Sequence, residues 1–181
     1  MSRLTVYHRS TPDIPNKVLS HPEDIAATLA ELGIGFERAE ATLPVSWEAS
    51  AEEVIATCRS EVDAWMAKGG YMSVDVVSID EDHRPQASSQ AELLREHRLE
   101  GEWVLCVVAG RAQLSVHAGD YVYAVLCERD DRITVPAGVA HWLDLGERAR
   151  FVGLRILTDS HGWRPDYVDQ PVHNLFPRMD D

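Results

Sequence analysis

Between residues 71 and 157 apolar side chains recur at every second position in short runs, and glycines or paired aspartates close most of the runs. Period two puts alternate side chains on opposite faces of an extended chain, so each run has one face to bury. Segments 71–79, 103–109, 112–117, 121–127, 132–135, 141–144 and 150–157 read as successive strands, with Gly110, Gly119, Asp130 with Asp131, and Gly138 as turns. Many short strands joined in this way close into an antiparallel barrel or jelly roll.

The first 70 residues read differently. A short strand is expected at residues 4–8. Ser20, with Pro22, Glu23 and Asp24 after it, should open a helix whose buried stripe is Ile25, Leu29 and Leu32 and which Gly33 ends. A further strand is expected at residues 36–39. Ser50 and Glu53 form a capping box for a second helix, which places Val54, Ile55, Cys58, Val62, Trp65 and Met66 on one face before Gly69 and Gly70 stop it. Segment 88–96 has the composition of a third. With 181 residues and 45% hydrophobic content the chain can bury one substantial core. The expectation is one domain: a helical and mixed part at 1–70, a barrel at 71–160 and a C-terminal segment at 161–181.

Charge and cysteine content narrow the function classes. The net charge of −13, from 30 acidic against 17 basic residues, would repel nucleic acid and anionic membranes. No stretch approaches the roughly 20 apolar residues of a membrane helix, and MSRLTVYHRS at the N-terminus lacks the apolar run of a signal peptide, so a cytoplasmic protein is expected. Cys58, Cys106 and Cys127 are odd in number and far apart, which reads as reduced thiols. Cys106 would reach the barrel cavity only if the strand carrying it were bulged.

Two stretches carry candidate chemistry: EHRLEGEWVLCVVAG at 96–110 and VPAGVAHWLDLG at 135–146. Cupin metal sites take ligands from alternate positions of one strand, in the form His-x-His followed by Glu, and a last His from a distant strand beside a Pro-Gly turn. His97 and His141 stand at the first and last positions. Leu99 holds the second His position, and Trp103 holds the Glu position counted from His97. Glu102 falls one residue short, on the opposite face of a regular strand. A β-bulge near Gly101 could turn Glu102 inward. Alternatively His97 is the second His of the pair, with Arg95 in place of the first. Either route gives His97, Glu102 and His141, a two-His-one-carboxylate set suited to non-haem Fe(II). The remaining reading has Leu99 and Trp103 filling the barrel and Glu102 in solvent.

VHAGDYVYAVLCERDDRITVPAGVAHWLDLG at 116–146, FVGLRIL at 151–157 and the pair Gly162 and Trp163 resemble the acireductone dioxygenase family of the methionine salvage pathway. The resemblance runs the length of the chain, through GYMSVDVVSI, LLREH and FPRM. It implies a mainly β protein with N-terminal α/β elements, a cupin-type double-stranded β-helix (jelly-roll barrel) with two or three flanking helices. It also implies Fe(II) or Ni(II) as cofactor, O₂ as co-substrate and a small-molecule substrate. His97 matches the family's first His ligand and His141 its last. Leu99 and Trp103 replace its second His and its Glu, and Leu105 replaces an Arg that helps hold the anionic enediol. Glu102 matches an acidic position beside the ligand Glu. Trp142 and Leu143 fall where aromatics line the pocket, and Trp163 matches a pocket Trp.

Chelating an enediolate needs a Lewis acid with two open positions and a nearby cation, so these departures reshape the functional expectation. The first reading is a diverged metal-dependent dioxygenase that oxidises another small metabolite with O₂, for example a thiol or amino-acid-derived compound. In it His97, His141 and Glu102 hold the metal, and Leu99, Trp103, Leu105, Trp142 and Trp163 line the pocket. The second is a metal-free cupin that binds a small apolar or aromatic ligand or catalyses a non-redox step, with Trp103, Trp142 and Trp163 as pocket walls, and the third a non-catalytic interaction protein that keeps only the fold. His83 is a candidate replacement ligand from a loop and His117 reads as structural. His8, His21, His161 and His173 lie outside the motif.

Overall fold

The computed structural model describes residues 1–40, 44–80 and 87–181. The chain enters through β1 (Arg3–His8) and β2 (Pro15–Leu19), an antiparallel pair, and then α1 (Pro22–Ala30) and β3 (Gly35–Arg38). The N-cap of α1 is His21, one residue beyond the expected Ser20, and no side chain caps it. Pro22 fits the first turn because its missing N–H would have no helical partner there. The capping box at Ser50 forms as expected: the hydroxyl accepts from the Glu53 N–H at 3.2 Å. The helix it opens breaks at Cys58 into α2 (Ala51–Thr57) and α3 (Arg59–Ala67). After β4 (Ser73–Asp80) comes a third helical region, α4 (Ala87–Leu94).

The remaining strands build the barrel: β5 (His97–Arg98), β6 (Trp103–Ala118), β7 (Tyr121–Glu128), β8 (Asp131–Val135), β9 (Ala140–Asp144), β10 (Arg150–Leu157) and β11 (Asp166–Tyr167). One sheet runs β11-β5-β9-β6-β7-β1-β2, and the second joins β4, β10, β6, β8 and β3. All pairings are antiparallel, and β6 belongs to both sheets. Its first half pairs with β8 and β10, its second half with β7 and β9. Two strands were expected here with a turn at Gly110. Instead Gly110 takes φ 79° and bends one 16-residue strand from one sheet into the other. The fold is a cupin-type jelly roll flanked by helices.

Parity along β6 sorts its side chains. Trp103, Leu105 and Val107 join the barrel core with Leu114, Val116, Ile133 and Phe151. Val104, Cys106 and Val108 face outward into a second apolar layer, where Val54, Cys58, Val62 and Trp65 of the α2–α3 region pack over Leu154 and Ile156 of β10. Helices here serve as a lid on the outer sheet face. Fully burying a side chain of this size contributes about 2 kcal/mol, so this layer is a large part of what holds α2 and α3 in place.

The C-terminal residues are stitched to the same frame. β11 pairs with β5, the Val168 N–H donates to the Glu96 carbonyl at 3.0 Å, and the Val172 N–H donates to Glu96 Oε1 at 3.0 Å. Further on, Arg178 forks onto the buried Asp144 carboxylate at 2.7 and 3.1 Å. No helix among the described residues is long and apolar enough to cross a membrane.

Candidate functional site

β5 is two residues long, and its first residue, His97, lies directly opposite His141 of β9. The two rings are 1% exposed, with centroids 4.5 Å apart. Each ring is oriented by its own backbone: His97 Nδ1 sits 2.6 Å from the Arg95 carbonyl and His141 Nδ1 2.8 Å from the Val139 carbonyl. A carbonyl oxygen only accepts, so each Nδ1 carries the proton and each Nε2 presents a lone pair to the barrel interior. Burial lowers the pKa of both rings, and for His141, with the His97 charge as a further cause, it reaches about 3. Both imidazoles are therefore neutral near pH 7.

Their surroundings are aromatic. Trp103, 1% exposed, donates its indole N–H to His141 Nε2 at 3.2 Å. Trp163 stands edge-on to both, with centroids 5.3 Å from His97 and 5.0 Å from Trp103, and Tyr167 lies 6.1 Å from His97. Leu99 is buried beside them, its carbonyl accepting from the Gly138 N–H at 2.9 Å, and Leu105 fills the core below. His97 Nε2 is buried and has no hydrogen-bond partner among the described residues. The sequence thus placed His97, His141, Leu99, Trp103, Leu105 and Trp163 in one neighbourhood, and the structure brings them together.

Glu102 is not part of it. Its carboxylate accepts from the Tyr71 hydroxyl at 2.7 Å, and its carbonyl accepts from the Thr158 hydroxyl at 2.9 Å. β6 and its pairings begin only at Trp103, so the bulge near Gly101 that one of the two readings invoked forms no part of its ladder. The irregularity lies further along, where Val107 and Ala109 of β6 pair with consecutive residues of β10 and Val108 is extra. Glu102 consequently keeps the outward parity of Val104 and Cys106. Gly101 serves another purpose, since a Cβ there would meet Thr158 Oγ1 at 1.8 Å. Among the described residues no three His, Cys, Asp or Glu side chains converge to hold a metal. The expected set of His97, Glu102 and His141 is not assembled, and the donors present do not fit Fe(II) or Ni(II), which call for three or more N/O ligands.

Other candidates also separate from the site. Trp142 lies on the opposite face of β9 from His141 and packs against Phe176 and His173, at 6.3 and 6.2 Å, so it is no pocket wall. Cys106 faces the outer layer, with Sγ 3.6 Å from Glu61. His117 pairs with Gly119 O at 3.0 Å and lies 3.5 Å from the buried Glu96 carboxylate. His83 lies outside the described residues. Sequence reading missed Arg155. It shares the inward parity of Phe151 and Leu157 on β10, sends two N–H groups to the Asp75 carboxylate at 2.7 Å each, and stacks 4.1 Å over Trp163. Alternation along β10 was the signal that could have found it. Arg155 and Trp163 wall a cavity of about 300 Å³ whose other side is Val77, Ile79 and Leu93.

Similarity to known proteins agrees with this architecture. The model of the ARD/ARD′ family matches residues 3–165. Curated proteins called acireductone dioxygenase are 51% identical in Pseudomonas fluorescens and 48% identical in Pseudomonas syringae pv. syringae, in both cases over 181 residues covering the whole of each chain. Among solved structures, an acireductone dioxygenase from Bacillus anthracis with a cadmium ion in its active centre superposes with a TM-score of 0.77 at 21% identity, covering 92% of this chain and 98% of that one.

Proposed function

This chain belongs to the ARD/ARD′ family, and from that premise we propose that it is a small-molecule-binding cupin whose histidine pair no longer holds a catalytic metal. The observation that carries this is the Trp103 indole N–H on His141 Nε2 at 3.2 Å. A lone pair engaged by a hydrogen-bond donor is not available to a cation, and the indole ring takes up the space a further ligand would need. The apolar side chains Leu99 and Leu105 stand where more polar groups would be required for an enediolate. Arg155 is already neutralised by Asp75. The ligand that suits such a pocket is small, weakly charged and flat enough to lie against Trp163. In this reading Trp163 and Arg155 orient the ligand in the cavity they wall, and the buried histidines, of which His97 packs against Trp163, stay neutral outside its lining.

A second reading is an ordinary metal-dependent dioxygenase acting on an acireductone. Two observations favour it: full-length identity of 51% to a protein of that name, and the unpartnered Nε2 of His97. The two readings separate on protein purified without chelators. The metal-free reading expects less than about 0.1 Fe or Ni per chain and no oxygen uptake with an acireductone. It also expects calorimetric binding of a flat apolar probe, indole, that Trp163→Ala abolishes. Stoichiometric metal that disappears in His97→Ala and His141→Ala, together with oxygen uptake, would establish the second reading instead.

A further inference from the structure

Two of the three cysteines meet outside the barrel core. Cys58 stands at the break between α2 and α3, Cys106 faces the same outer layer from β6, and both are buried. Cys127 is enclosed among the barrel residues instead. Glu61 lies one helical turn on from Cys58, which makes the two side chains neighbours. Its Oε1 accepts from Cys106 Sγ at 3.6 Å and from the Trp65 indole at 2.9 Å, and Arg132 donates to its Oε2. The two thiols, Glu61 and Arg132 line one cavity of about 20 Å³, whose wall also includes the partly exposed Ala39.

Packing alone does not call for this arrangement. Val104 and Val108 share the parity of Cys106 and fill the same layer with apolar bulk, whereas at Cys106 a thiol, a carboxylate and a guanidinium surround a void. A polar cavity of this size holds one water-sized molecule, and hydrogen peroxide is little larger. We propose that Cys58 and Cys106 are a peroxide-oxidisable pair that closes into a disulfide between the helical layer and β6. Glu61 takes the Cys106 proton, and the Arg132 charge favours the thiolate. The Cys106 sulfur attacks one peroxide oxygen, the O–O bond breaks, and the departing hydroxide leaves as water with that proton, giving a sulfenic acid. The Cys58 sulfur then displaces the sulfenic hydroxyl, which leaves as a second water with the Cys58 proton. Two thiols are oxidised to one disulfide, and one peroxide is reduced to two waters. Burial and the Glu61 charge raise the pKa of both thiols, so the reaction is slow and needs peroxide in excess. The proposal is independent of whether the barrel histidines hold a metal.

Reduced protein treated with excess hydrogen peroxide, blocked with N-ethylmaleimide in denaturant and digested without reductant, reveals by mass spectrometry which thiols have paired. Two of the three thiols should be lost to alkylation in most chains, and a Cys58–Cys106 peptide lighter by two hydrogens should appear, with Cys127 alkylated. Reductant added before the block should restore all three. Cys58→Ser should leave Cys106 as a sulfenic acid that dimedone captures, and Cys106→Val, which matches its neighbours, should abolish the linked peptide. Three alkylated thiols after peroxide treatment of wild type, or a bridge that includes Cys127, would overturn the proposal.

Discussion

The indole hydrogen bond at the centre of the site has a measurable weight. Trp103→Phe keeps an aromatic ring and removes the donor, leaving His141 Nε2 buried and unpaired, so urea unfolding should show a loss of about 1–3 kcal/mol. Adding His141→Leu should recover part of that loss, because the stranded acceptor is then gone; a strictly additive double variant would mean the bond contributes nothing. The histidine pair itself was legible in the sequence, since the spacing from His97 to the Pro-Gly turn before His141 needs only the fold to bring the two together. What was not legible depends on register. Glu102 and Trp142 each carry a residue type suited to the site but the wrong parity, and Arg155 carries the right parity under a residue type normally read as solvent-facing. A single strand cannot say which face is inside until its neighbours are placed.

Elements show the same division. The strand runs and the Ser50 cap followed from local chemistry, and Ser50→Ala should cost about 1 kcal/mol in thermal or chemical unfolding. The exposed strand β2 carries no alternation to read, since it buries almost nothing. The break at Cys58 has neither Gly nor Pro to announce it. Gly110 was recognised as a chain-direction signal but its meaning was misjudged: a glycine at φ 79° can bend a strand between sheets as readily as end it. A Cβ at this position would lie 2.1 Å from the Arg150 carbonyl oxygen. Gly110→Ala should therefore destabilise by at least about 2 kcal/mol, from strain at the positive φ and displacement of β10, whereas Gly119→Ala, with open space around it, should cost less.

At the scale of the molecule, the C-terminal residues act as a strap closed by Asp144. Burial alone would raise this carboxyl, but the Arg178 fork and the Met179 and Gly146 N–H groups outweigh it and hold the pKa below the ordinary carboxylate range. A group ionising more readily in the folded chain stabilises fully above its unfolded pKa of about 3.9, and this contribution is lost as pH falls through the folded value. Asp144→Asn should cost about 2–3 kcal/mol at pH 7 and should flatten the acid limb of the stability curve below pH 4, as followed by circular dichroism. An acid limb unchanged from wild type would show that the strap is held elsewhere. The strand shared by both sheets has a different consequence. Because β6 is hydrogen-bonded to β8 and β10 along one half and to β7 and β9 along the other, neither sheet can peel away while the other stays intact. The amides of residues 103–118 that lie within these ladders should accordingly exchange with deuterium at a single, slowest rate set by global unfolding, while those of the edge strand β2 exchange through local fraying.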